Sequence, residues 1–202
     1  MRGMKSVVRL CLVPLCLLTI SAAPSAKLIP VGNYGEAIMI PANSTLRFQR
    51  LKHDDRASFS GRVEIEGIWV IDCEWCGPGQ KDNELHLSII PNPATIARLP
   101  RWKYHSNDIR IDLWDADHFI RSVSTANERR QLLAGKLQEI RGHAKLVIDR
   151  YEAALECDSA SYSARFVAVT QVARRANIPT DGSYGCGYAQ LGLGAARRTT
   201  GL

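Results

Sequence analysis

From Phe59 onward the side chains alternate. Phe59, Gly61, Val63 and Ile65 fall on one side of an extended backbone, and Ser60, Arg62, Glu64 and Glu66 fall on the other. A period of two marks a half-buried β-strand. The same period returns in Leu85, Leu87 and Ile89, in Ile109, Ile111 and Leu113, and in the long runs 144–157 and 162–169. A chain patterned this way has to bury one face of a sheet, so a mainly β fold is expected, α+β by count of elements. Gly67 interrupts the first run before Ile68-Trp-Val-Ile71. A glycine inside a strand indicates a bulge or a bend, and a bend here lets one strand serve both sides of a small barrel.

Helical signals are few. Asn92-Pro93 supplies an N-cap followed by proline at the first helical position, which opens a short turn that Pro100 stops. Thr125 and Glu128 form a capping box. Leu133, Leu137 and Ile140 then share one stripe, and Gly142 stands where a C-terminal glycine belongs. Residues 24–44 read as an irregular arm with a short strand at Ala37–Ile40, and 45–51 alternate weakly.

The order is thus long bent strand, strand, short helix, strand, capped helix, long strand, strand. It resembles the OB-fold, a five-stranded partly open barrel. The resemblance is one of pattern over residues 58–170. It implies a small OB-like barrel with one capped helix between strands 3 and 4; another open α+β sheet is the competing architecture. The rest of the chain divides into a signal peptide (1–23), an N-terminal arm (24–57) and a loose C-terminal tail (171–202).

The first segment sets the compartment. Arg2, Lys5 and Arg9 precede a charge-free stretch from Leu10 to Ala26 with an apolar centre and the small residues Ser21-Ala22-Ala23. That is the pattern of a secretory signal cleaved near Ala22 or Ala23. The stretch is interrupted by Pro14 and is short for a bilayer span, so no stable membrane anchor is expected. The mature protein is expected to be secreted or periplasmic. Cleavage leaves Cys73, Cys76, Cys157 and Cys186, an even set that reads as disulfides in an oxidising compartment. The preferred pairing is Cys73 with Cys76, as a local staple, and Cys157 with Cys186. The second clips the tail by closing a loop that stabilises by about 3 kcal/mol. Trp75-Cys76-Gly77-Pro78-Gly79 resembles the thioredoxin active-site stretch with its second Cys replaced by Gly. Turn-forming residues follow it where redox chemistry needs a helix, which favours the staple.

Charge restricts the partner. The formal net charge is +6, but residues 24–196 hold 21 basic and 20 acidic side chains. The excess sits at the ends, so nucleic acid is not an expected partner. All four Trp fall between residues 69 and 114. Trp75, Trp102, Tyr104 and Trp114 are the candidate ligand-binding residues, because aromatic faces near the second and third strands of an OB-like barrel can stack on sugar rings. Asp112, Asp115, Asp117 and His118 are grouped but lack the spacing of a calcium loop, and they read as a turn with an Asp cap. His86 lies opposite Leu85 and Leu87 on its strand and is expected to face solvent, and His53, His105 and His143 have no second ligand at a fixed offset. No catalytic residue, metal ligand or cofactor is expected. The chain reads as an exported binding protein whose partner is a glycan or another protein. The competing class is a secreted hydrolase or thiol-redox enzyme with a dispersed site.

Overall fold

The structure, a computed structural model, describes residues 25–31, 36–52, 56–73, 84–104, 109–156 and 159–179. The expected signal peptide (1–23), Trp75, Cys76, Cys157, Cys186 and residues 180–202 lie outside them. The described residues are mainly β, with short helices. No helix among them is long and apolar enough to cross a membrane.

A small sheet is made by β1 (Lys27–Val31), β2 (Glu36–Ile40) and β7 (Arg101–Trp102), in that order. The large sheet holds β3 (Arg47–Lys52), β4 (Arg56–Ser60), β5 (Arg62–Cys73), β6 (Leu85–Pro91), β8 (Ile111–Trp114), β9 (Leu137–Glu156) and β10 (Ser159–Pro179). β5 pairs antiparallel with β6, and β6 with β8. β8 runs parallel to β10, which pairs antiparallel with β9, and β9 returns to β5. The parallel pair requires a crossover from β8 to β10. Here it runs through α2 (Asp117–Val123), α3 (Ala126–Leu133) and then β9.

The alternation in β5 is realised as expected. Val63, Ile65, Trp69 and Ile71 are buried, while Glu64 and Glu66 are exposed. Gly67 sits where β6 joins β5 and is a point of close approach. A Cβ there would lie 2.1 Å from the Ile90 carbonyl oxygen and 2.8 Å from the Pro91 Cα. On the far side of β6, α1 (Pro93–Ile96) locks to the same place. Its cap Asn92 accepts from the Thr95 N–H at 2.8 Å, and the Asn92 N–H donates to the Glu66 carbonyl at 2.8 Å.

Several expectations are corrected. The run from Phe59 is two strands, because Gly61 at φ 107° separates β4 from β5. Two helices, not one, lie between β8 and β9. The capping box of Thr125 and Glu128 is present, but α3 stops at Leu133. Gly135, at φ 67°, turns the chain there, with the Lys136 N–H donating back to the Gln131 carbonyl. Leu137, Ile140 and Gly142 therefore belong to β9. Gly142 lies directly across from Trp69, so no side chain competes there for the space of the indole. Asp117 opens α2 inside its first turn, and the cap itself is Ala116, without a side-chain hydrogen bond. The arm contributes β1 and β2 in place of one short strand, and β10 continues through residues 171–179.

Two aromatic groups fill the interior. Trp69 meets Phe119 edge-on at 5.8 Å, and Phe119 touches Phe166 at 5.5 Å. Farther along, Phe48, Phe59, Tyr151 and Tyr162 form a row with centroids 5.8–6.2 Å apart. Each such contact adds about 0.5–1.5 kcal/mol beyond simple burial. The small sheet docks on this row. The Tyr151 hydroxyl donates to the Pro100 carbonyl at 2.8 Å, and the Trp102 indole N–H donates to the Ala154 carbonyl at 3.0 Å. Burial pushes the Tyr151 hydroxyl well above the ordinary tyrosine range, so it remains a donor.

Gly67→Ala should lose more than about 2 kcal/mol of stability in urea unfolding, because the new methyl meets backbone that is itself paired. An alanine variant as stable as the wild type would contradict the close approach.

Candidate ligand-binding face

The face turned away from the core across β3, β4, β9, β10 and β8 gathers charge. Its organising feature is a slip in β9. Ser58 pairs with Glu152 and Arg62 with Asp149, while on the other edge Ser163 pairs with Glu152 and Arg165 with Asp149. Between the β10 pairs, β9 contains one residue too many. The extra residue is Arg150, at φ 50°, a left-handed backbone uncommon for a side chain of this size. Asp149 and Arg150 consequently line the same groove. On the opposite strand Gly61 takes up the irregularity, and a Cβ there would lie 2.9 Å from the Thr45 carbonyl.

Two carboxylates on this face are already engaged. Arg165 forks onto Asp149, with Nε to Oδ1 at 2.8 Å and Nη2 to Oδ2 at 2.7 Å. That donated hydrogen bond holds the Asp149 carboxyl below its usual range, with the Arg165, Arg62 and Arg150 charges acting in the same direction and partial burial opposing. Glu152 takes Lys52 at 2.6 Å and Arg56 at 3.6 Å. Among the described residues, Arg47, Arg50, Arg62 and Arg150 make no salt bridge. Arg50, Arg62 and Arg150 line a groove of about 670 Å³ together with Ser58, Gly61 and Asp149.

Trp114 ends β8 beside this groove, paired across the strands with Arg165, and it is 40% exposed. The Arg150 guanidinium lies 5.9 Å from its ring centroid, within cation–π range. Asp115, the next residue, also has a left-handed backbone, at φ 60°. Strained positions of this kind cost on the order of 1–3 kcal/mol each and persist where their surroundings enforce them.

The four aromatic candidates separate in the structure. Trp114 belongs to the face. Trp102 is a correction: it is wholly buried, packed under the small sheet with its indole N–H satisfied, and presents no ring to a ligand. Tyr104 is 64% exposed but follows β7 in the other sheet, with Lys103 Nζ 4.8 Å from its ring centroid. Trp75 lies outside the described residues. So do Cys76, Cys157 and Cys186; Cys73 closes β5, half-buried. Asp112, Asp115, Asp117 and His118 are exposed, and no three metal-ligating side chains come together among the described residues. A second cavity of about 400 Å³ between Ile68, Ile90, Pro93 and His143 is more apolar, and Glu66 and Lys145 pair beside it at 3.4 Å. The groove arginines do not stand out as a motif in the sequence, but one signal points to Arg150. Inward residues run Ala144, Leu146, Ile148 and then Tyr151, Ala153, a change of parity that marks an inserted residue.

No known protein family, curated protein or solved structure matches the chain.

The Asp149–Arg165 fork makes a pH prediction. A carboxylate whose pKa is lowered by folding stabilises above its unfolded pKa, near 3.8, and loses that contribution as pH falls through the lower folded value. Asp149→Asn should therefore be less stable than the wild type at pH 7, and the gap should close as unfolding is measured at successively lower pH below about 4. A gap that stays constant to pH 2 would show that the carboxylate's charge is not what matters.

Proposed function

We infer that the protein is an exported, disulfide-stapled binding protein with an OB-like barrel, and that it holds a glycan on the face around Trp114. Export rests on the signal pattern of residues 1–23, and the staples on Cys73, Cys76, Cys157 and Cys186 in an oxidising compartment. The OB-like reading is supported by the order of pairing. The strands β5, β6, β8, β9 and β10 take the places of the first to fifth strands, with the helical crossover between the third and fourth. In that arrangement ligands lie across the second and third strands, and Trp114 ends the third.

The observation that carries the reading is the half-exposed Trp114 ring flanked by Arg150, beside an open groove with hydroxyl and carboxylate groups in its wall. An apolar ring face meets the C–H face of a sugar, and polar neighbours take its hydroxyls. A role in proton donation does not suit Asp149, which Arg165 keeps ionised.

Titrating a panel of cell-wall and extracellular glycans while following Trp fluorescence should give a saturable shift with at least one of them. Trp114→Ala should weaken that binding at least tenfold, roughly 1.4 kcal/mol. No shift with any glycan, or an undiminished affinity in the alanine variant, would remove the reading.

A further inference from the structure

We propose that the ligand of this face is an acidic glycan whose sugars carry carboxylates, a polyuronate in chemical class, with the groove of Arg50, Arg62 and Arg150 as the carboxylate-binding subsite. The proposal rests on the glycan reading above. Basic side chains stand on the adjacent strands β3, β4, β5, β9 and β10: Arg50, Arg56, Arg62, Arg150 and Arg165. Three acids sit among them: Asp149 is held by Arg165, Glu152 by Lys52 and Arg56, and Asp115 acts on Arg165 through space. Arg50, Arg62 and Arg150 line the groove without a salt bridge, Arg62 and Arg150 acting on Asp149 only through space, so cations outnumber acids there.

Guanidinium groups present a planar fork that matches a carboxylate in two hydrogen bonds. The left-handed backbone at Arg150 aims this cation into the groove while leaving it against the Trp114 ring. One sugar ring stacked on Trp114 thus places the carboxylate of a neighbouring sugar within the basic groove. The Ser58 oxygen, whose own proton goes to the Arg50 carbonyl, and the outer lone pairs of Asp149 and Glu152 remain to accept from sugar hydroxyls. Among the described residues Trp114 is the one exposed aromatic ring on this face, whereas single-stranded nucleic acid is held on a series of stacking platforms.

The mature chain should be titrated by calorimetry with an oligogalacturonate, with the same oligomer fully methyl-esterified, and with an oligothymidylate. Arg50→Gln/Arg150→Gly removes two cations, and glycine is the residue best suited to the left-handed backbone at position 150, so this variant should fold. The free acid should bind at least tenfold more tightly than its ester. The double variant should bind acid and ester alike, and added salt should weaken only the acid. Equal binding of acid and ester by the wild type overturns the acidic ligand and leaves the glycan reading standing. Binding of neither removes both for this sugar class. Acid binding unchanged in the double variant places the subsite elsewhere and overturns the proposal. Oligothymidylate bound as tightly as the acid, and lost in the double variant, replaces the glycan with a nucleic acid.

Discussion

β9 hydrogen-bonds to β5 and β4 along one edge and to β10 along the other, so an irregularity in it is felt by three neighbours. That irregularity is the residue inserted at Arg150. Before it, Ala144, Leu146 and Ile148 face the core; after it, Tyr151 and Ala153 do. A strand without the insertion would turn Tyr151 outward, because one residue of slip exchanges the two faces. The hydroxyl would then leave the Pro100 carbonyl, and the ring would leave its place between Phe59 and Tyr162. The small sheet docks on that row of rings, so the slip that builds the outer groove also positions the inner aromatic row.

Charge on the outer face follows from the same slip. Asp149 and Arg150 are neighbours in sequence yet line one groove, which puts a paired carboxylate and a cation without a salt bridge side by side. The ion pairs here are partly exposed, and such pairs contribute little to stability, about 0–1 kcal/mol. Their consequence is geometric: with Asp149 held by Arg165 and Glu152 by Lys52, Arg50, Arg62 and Arg150 line the groove without a salt bridge. A body that is close to neutral in total thus carries a locally basic face. Net charge alone does not describe such a surface, since it averages over positions that the strand pairing brings together.

Much of the fold was legible because strands announce themselves by period. The alternation from Phe59, which the structure divides at Gly61, that at 85–89, the Asn92-Pro93 helix start and the capping box at Thr125 all correspond to observed elements. What failed was punctuation. Gly142 reads as the end of a helix because Leu133, Leu137 and Ile140 fit a helical stripe, but Gly135 turns the chain before Leu137. For the site, Trp114 is legible as an aromatic at a strand end; Trp75 and Trp102 have the most polar flanks and read from sequence as the better candidates, yet Trp102 is buried by the arm, a long-range packing that local sequence does not carry. The arginines of the groove come from three separate strands, and only the parity change between Ile148 and Tyr151 hinted that Arg150 was unusual.

On the proposed reading, the slip at Arg150 and the ring of Trp114 form one binding face. Amide and indole NMR shifts followed while oligogalacturonate is added to the protein test this directly. The largest shifts should fall on Gly61, Arg62, Asp149, Arg150 and the Trp114 indole N–H. Shifts centred instead on Ile68, Ile90 and His143, or on Tyr104, would contradict it.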